Sequence, residues 1–349
     1  MANEKIVGRG AVSNPANRYE RLQVVWEEDA DLDPVSRRTE YFFDASRSVL
    51  AENTSPDVPF RLSLNPYRGC EHGCIYCYAR PTHEYLGLSA GLDFEQRIMV
   101  KKDAPELLRA TFLSPRWQPE VIALSGNTDC YQPIERQLGI ARRCLEVFLE
   151  FANPVVVVTK SALIERDQDL LVELAKRNLV RVAISITTLD GELARRLEPR
   201  AAQPQRRLEV LARFAAAGIP VAVMVAPVIP GLNDEEIPRI LRAARDAGAL
   251  SASYVLLRLP RPVDELFADW LRRHFPDRER RILGRVRECR QGKLYCAEFG
   301  VRKTGTGPYA EHIRELFHLA VRRFGLDRCL PELDTSAFRR PGMKQLSLF

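Results

Sequence analysis

The chain has no apolar run approaching the ~18 residues that a membrane-spanning helix needs, so no transmembrane segment is expected. Its first residues, Met1-Ala2-Asn3-Glu4-Lys5, lack the basic-then-apolar pattern of a signal peptide, and a cytoplasmic location is the expectation. The glycine-rich GxGxxG turn is also missing, which counts against an open, doubly wound nucleotide-binding sheet. Neither sign of charge dominates, with a net charge of only +6. Against these absences, 46% hydrophobic and 28% charged residues exclude a wholly disordered chain, and 349 residues suffice for a large core.

The charge is unevenly spread. From Arg258 to the end the chain carries 20 basic and 12 acidic residues, a balance of +8, whereas the residues before it balance to −2. An arginine-rich run, Arg272-Arg273, Arg278, Arg280-Arg281, Arg285, Arg287 and Arg290, lies in this part. Two readings stand: a surface for a polyanionic partner, or a solvated helix face.

Residues 1–59 read as an irregular, Pro-punctuated N-terminal extension with no chemistry of its own. A strand–helix alternation follows. Apolar strand candidates lie at 61–64, 121–124, 155–159, 180–186, 219–226 and 254–257. Between them, helical spacing marks 135–151, 167–177, 205–217 and 234–247, with Gly218 and Gly248 where helix-ending glycines belong. Strands apolar on both faces and separated by helices predict a parallel sheet, and six such units predict an α/β fold, a partial (β/α)6 TIM-like barrel over residues 60–260. A basic helical region over 261–338, with helices at 263–274, 278–288 and 309–324, and a flexible tail over 339–349 complete the expected organisation.

Three of the eight cysteines, Cys70, Cys74 and Cys77, fall within eight residues, in the loop after the first barrel strand. In a reducing compartment so tight a cluster points to metal rather than disulfides. Gly69 and Gly73 let the backbone wrap closely. A structural zinc site wants four ligands, and His72 is the one candidate for a fourth. Three ligands alone leave an open metal position, which suits a reactive centre.

The spacing C-x3-C-x2-C, with Tyr76 before the last cysteine, resembles the CxxxCxΦC signature of radical SAM enzymes. The resemblance implies a [4Fe-4S] cluster held by Cys70, Cys74 and Cys77, whose fourth iron binds S-adenosylmethionine (SAM). It implies reductive cleavage of SAM to a 5′-deoxyadenosyl radical that abstracts hydrogen from substrate, with an external low-potential reductant. It further implies SAM contacts at strand ends: Tyr76, the turn Ser125-Gly126-Asn127-Thr128-Asp129, Lys160 for the SAM carboxylate, and Ser185. The loop Val225–Gly231 resembles the family's adenine-side loop. For Lys160 and Ser185 the plain alternatives are a solvated lysine and a satisfied core hydroxyl.

The runs Asn65-Pro66-Tyr67-Arg68-Gly69-Cys70 and Thr128-Asp129-Cys130-Tyr131-Gln132-Pro133 resemble the spore photoproduct lyase branch, also called DNA repair photolyase-like. That branch returns hydrogen to its product from a cysteine. The corresponding position falls within Ser125-Gly126-Asn127, which has no thiol, so Cys130 is the candidate donor, with a buried inert thiol as its alternative. Tyr78 and Tyr131 are further candidate relays, with aromatic packing as the plain alternative. The tail Gln345-Leu346-Ser347-Leu348-Phe349 resembles the sliding-clamp-binding pentapeptide of bacterial replication and repair proteins. Its apolar side chains suit a hydrophobic groove, and Arg339, Arg340 and Lys344 suit an acidic partner or DNA; the plain alternative is a terminal apolar strand packed on its own domain.

The sequence therefore predicts a radical SAM enzyme acting on DNA, in repair or modification, with DNA and the sliding clamp as partners. The rivals are a radical SAM enzyme acting on RNA, a peptide or a small molecule, and a non-enzymatic, metal-containing clamp adaptor.

Overall fold

The computed structural model describes residues 8–19, 38–328, 330 and 332–341. Among the described residues ten strands are formed: β1 (Glu40–Phe43), β2 (Leu50–Glu52), β3 (Leu62–Leu64), β4 (Tyr67–Arg68), β5 (Arg97–Val100), β6 (Ile122–Leu124), β7 (Val155–Thr159), β8 (Val180–Ser185), β9 (Val221–Val228) and β10 (Ser251–Leu256). The main sheet runs β2-β3-β6-β7-β8-β9-β10. Every pair in it is parallel except β2 with β3. The six parallel strands follow one another in chain order. A doubly wound sheet reverses its order at a switch point, and this one does not. The architecture is the expected partial barrel.

Burial explains why these segments became strands. Along β7, Val155 and Val157 are fully buried while Val156 and Val158 are only partly exposed, so helices cover one face and the barrel interior the other. Each such buried valine contributes roughly 1.5–3 kcal/mol. The helix expected over 135–151 is broken in two, Glu135–Leu138 and Ile140–Phe151, because Gly139 adopts a left-handed conformation at φ 63°. The Glu135 carboxylate then caps the second piece, accepting from Ile140 N at 2.9 Å and Ala141 N at 3.0 Å.

Three expectations need revision. The stretch 38–59, read as irregular, contains β1 and β2; β1 joins β5 and β4 in a second, three-stranded sheet beside the cysteine loop. Residues 8–19 also carry structure: Ala11 is fully buried, and Gly10 N and Ala11 N donate to Glu95. At the other end Arg339 and Arg340 are docked rather than free. Arg339 Nε donates to Glu150 O, and Arg340 donates to Phe112 O, Ser114 O and Trp117 O. Both cations therefore sit on the carbonyls at helix C-termini, where the dipole favours them. Gln345, Leu346, Ser347, Leu348 and Phe349 lie outside the described residues.

Among the described residues no helix is long and apolar enough to cross a membrane. A cavity of about 370 Å³ opens at the N-terminal ends of the strands, lined by Val121, Val156, Arg181 and Ala222 among others. Barrel chemistry is built at the opposite, C-terminal ends, and the cysteines lie there.

Candidate active site

The cysteine loop leaves the C-terminal end of β3 and is held from outside as much as by itself. Internal turns close it: Gly73 N donates to Cys70 O and Cys77 N to Cys74 O. Neighbours fix its two edges, through Cys70 N to Phe94 O at 2.9 Å and Ile75 N to Leu197 O at 3.1 Å. Gly69 and Gly73 have φ of 81° and 67°. A Cβ at Gly73 would stand 2.7 Å from Glu95 Oε2, so only glycine fits there.

Buried carboxylates complete the frame. Glu95 pairs with Arg80 at 2.5 Å, both side chains fully buried, and Arg80 also donates to Cys74 O, Ala90 O and Gly91 O. Glu71 accepts from Ile134 N and from Tyr41, while its own N–H donates to Gln132 Oε1. Glu198 accepts from Tyr76, Thr187 and Arg207.

Cys70 and Cys74 are buried and Cys77 partly so. Burial pushes the Cys70 thiol far above its ordinary pKa, and Asp129, Cys74 and Cys77 push it further. Cys74 is raised chiefly by burial, with Glu198 next. Burial raises Cys77 too, against the pull of Arg80. Burial thus holds all three thiols toward their neutral form, and a multivalent cationic group is what would deprotonate them together. The all-sulfur donor set suits a soft iron–sulfur centre. His72 Nδ1 sits 3.4 Å from Asp129 Oδ2, so its ring is paired with that carboxylate; among the described residues no three His, Cys, Asp or Glu side chains, the three cysteines included, converge on a single-ion position.

The turn Ser125-Gly126-Asn127-Thr128-Asp129 leaves the end of β6 beside this loop. Asn65 organises it: its Oδ1 accepts from Gly126 N (2.9 Å), Asn127 N (2.8 Å) and Thr128 N (3.4 Å). Ser125, at φ 82°, donates to Thr128 O and accepts from Cys130 N, so its hydroxyl is spent inside the turn. Thr128 donates to Tyr67 O. Asp129 accepts from Thr159 and Lys160 N, which ties this turn to the end of β7. Its carboxylate is thus satisfied by the protein. Asn127 is exposed.

Lys160 projects over the barrel from the end of β7. Its Nζ lies 2.9 Å from Ala226 O, 3.3 Å from Thr187 Oγ1 and 3.4 Å from Glu198 Oε1, and 5.9 Å from the Tyr76 ring centre. The ammonium is therefore held over the Tyr76 ring beside the cysteines and not in open water. Burial alone would raise the Glu198 carboxyl. Arg207 and Lys160, helped by Thr187 and Tyr76, outweigh it and hold its pKa well below the ordinary range. Ser185 is buried, and its carbonyl accepts from Arg207. Asn233 fixes the loop after β9 by donating to Thr187 O and Pro227 O.

Cys130 is fully buried in the main core, where burial pushes its thiol pKa far up. Tyr131 is also fully buried and hydrogen-bonds Asp167. Tyr78, by contrast, is 42% exposed beside Cys77. The arginine run divides. Arg290 is buried against Val301 O and Leu257 O, Arg278 donates to Gly231 O, and Arg272, Arg273 and Arg285 pair with local carboxylates. Arg280, Arg281 and Arg287 remain exposed.

Residues 64–244 match the Radical SAM superfamily. The chain belongs to that superfamily. An uncharacterized protein of Mycobacterium tuberculosis is 37% identical over 233 residues, 66% of this chain and 67% of its own length. One of Acidianus two-tailed virus is 30% identical over 196 residues, 53% of this chain and 64% of its own. Among solved structures, spore photoproduct lyase complexed with dinucleoside spore photoproduct superposes with a TM-score of 0.57 at 14% identity, covering 81% of this chain and 79% of that one. The superposition establishes a common fold. Family membership carries SAM and an iron–sulfur cluster with it.

Proposed function

We propose that Cys70, Cys74 and Cys77 hold a [4Fe-4S] cluster that cleaves SAM reductively, and that the resulting radical acts on DNA in a repair or modification reaction. The observation that carries the first part is the set of three cysteines in one loop at the C-terminal end of β3, two of them buried and Cys77 partly so, with Lys160 held over the neighbouring Tyr76 ring. In this reading Lys160 supplies positive charge for the SAM carboxylate, and the turn Ser125–Asp129 offers backbone polar groups, with Asn65 holding their positions. Ser185 lends a hydroxyl, and Tyr76 packs beneath. Bound there, the reduced cluster and SAM supply a 5′-deoxyadenosyl radical able to take a hydrogen atom from substrate. The chain's own part is to orient the cofactor and exclude water.

Support for DNA is of two kinds: the fold shared with an enzyme complexed with dinucleoside spore photoproduct, and the exposed arginines of the C-terminal region. The tail Gln345–Phe349 fits a sliding clamp as partner. Anaerobic reconstitution tests the reading. Expected are about four iron and four sulfide per chain, and 5′-deoxyadenosine whose yield rises with damaged DNA in the presence of a low-potential reductant. Protein that stays iron-free and colourless refutes the cluster. Stimulation only by an RNA, peptide or small molecule refutes DNA.

A further inference from the structure

The mouth of the barrel carries two exposed aromatic rings, each under an arginine. Arg258 lies just past β10, at the C-terminal end of the sixth parallel strand, with its guanidinium 4.8 Å from the Tyr78 ring centre. Tyr78 follows Cys77 directly, and its hydroxyl donates to Gly126 O at 2.5 Å, which fixes the ring between the cysteine loop and the end of β6. Phe299 is 53% exposed, and the Arg302 guanidinium lies 4.4 Å from its ring centre. The two pairs are joined: Leu256 N donates to Lys303 O at 2.7 Å, which binds the 299–303 segment to the end of β10.

The cations differ in how they are satisfied. Arg302 is locked by Asp57 and Ser55, and Lys303 Nζ donates to Asp57 O at 2.7 Å. None of the described residues gives Arg258 a hydrogen bond or an ion pair, and its Nε is buried with no acceptor. Burial, together with Arg258 and Arg302, pushes the Lys303 pKa down against Asp57. Three cations thus share one rim with the Asp57 carboxylate, and Arg258 has its donors to spare. An arriving oxyanion would answer both.

We propose that Tyr78–Arg258 and Phe299–Arg302, with Lys303 beside them, form a platform on which single-stranded nucleic acid stacks its bases and places a phosphate. Exposed aromatic faces interleaved with cations serve such strands because every base has a stackable face and every nucleotide a phosphate. An acidic peptide would use the cations and leave both rings idle. Bases stacked in a duplex have no free face to offer, and a base must leave its helix to reach a buried reactive centre. The inference rests on the proposed nucleic-acid substrate and adds its strandedness and its receptor.

Fluorescence anisotropy on the reconstituted full chain tests it, with a labelled oligothymidylate, the same length of duplex and an acidic peptide, from about 50 to 200 mM salt. The wild type should bind the single strand tightest. Arg258→Gln should weaken binding about tenfold and flatten the salt slope by about 0.7. Arg258→Lys should keep the slope and lose part of the affinity. Phe299→Leu, at an exposed position that the fold does not need, should weaken binding about fivefold or more with the slope unchanged. That split between slope and affinity is not produced by general loosening. The platform is overturned if Arg258→Gln and Phe299→Leu both bind like the wild type. It is also overturned if the duplex or the peptide binds as well as the single strand. Protein that cleaves SAM but binds no oligonucleotide loses the platform and keeps its radical chemistry. Protein that binds the strand but takes up no iron loses the chemistry and keeps the platform.

Discussion

Glu198→Gln is a sharp test of how the site is held. The side chains of Glu198 and Arg207 are each 1% exposed and that of Lys160 is 16% exposed, so the carboxylate is the counterion of two cations out of water. Glutamine keeps the size and can still accept from Tyr76 and Thr187. It leaves Arg207 buried with two carbonyls, Ser185 O and Ala202 O, and no charge partner. Breaking a buried pair from one side costs about 3–5 kcal/mol. That is a large fraction of the ~5–15 kcal/mol typical of a domain. The pH dependence has a definite sign. The folded pKa of Glu198 lies below its unfolded value of roughly 4.3. Its stabilisation is therefore complete above that value and is lost as pH falls through the lower, folded one. Urea unfolding of the iron-free, reduced protein, followed by circular dichroism, should show a constant wild-type-to-variant gap at neutral pH. The gap should narrow below about pH 4. A variant within about 1 kcal/mol of wild type at pH 7, or a gap that widens in acid, would refute the reasoning.

Asn65→Ala removes the one acceptor shared by three backbone N–H groups of the turn after β6. It should cost about 1–3 kcal/mol in urea and raise the KM for SAM more than it lowers kcat. Gly73→Ala forces a left-handed φ on an L-residue, at about 1–2 kcal/mol, and drives a methyl group at Glu95; iron content after reconstitution should fall with the urea midpoint. Cys130→Ala should cost about 1 kcal/mol as a lost core contact and leave DNA-stimulated 5′-deoxyadenosine formation unchanged; loss of product with intact SAM cleavage would assign Cys130 the role of hydrogen donor. Deleting residues 342–349 should abolish calorimetric binding to a bacterial sliding clamp and leave the urea midpoint in place, because the docked Arg339 and Arg340 precede the cut.

Much of the barrel was legible because its signals are local. Val155–Thr159 is a strand as spaced, and Val263–His274 is a helix as spaced; Gly218 and Gly248 adopt positive φ. A buried β-branched run and a glycine after an amphipathic stretch need no distant partner to be read. The segments misread depend on distant partners. Residues 8–19 look irregular until Glu95 is placed against Gly10 and Ala11. Arg339 and Arg340 look like a free basic pair until the carbonyls of two helix ends are set beneath them. The family resemblance points to Lys160, but Glu198, its buried partner, lies 38 residues later in a stretch that carries no motif. No spacing rule links the two.

The same distinction explains how a short cysteine loop with almost no regular structure can be held in place. Two internal turns would not fix it, since a loop this tight gives up backbone entropy for few bonds of its own. Three carboxylates from outside its turns, or turned outward from it, do so instead. Glu95 reaches it through Arg80, which clasps Cys74 O. Glu198 holds the Tyr76 hydroxyl. Glu71 looks away from the loop to Ile134 N and so fastens it to the segment after the β6 turn. Each carboxylate has partners other than the thiols, so the frame stands whether or not a metal centre is bound. A frame of that kind lets binding energy orient the cofactor instead of ordering the loop. It also predicts that Cys74→Ser removes iron without shifting the urea midpoint of the iron-free chain by more than about 1 kcal/mol, whereas Glu198→Gln shifts that midpoint with no cluster present. If the cysteine change proved the more destabilising of the two in iron-free protein, the loop would depend on its sulfurs and not on its carboxylates.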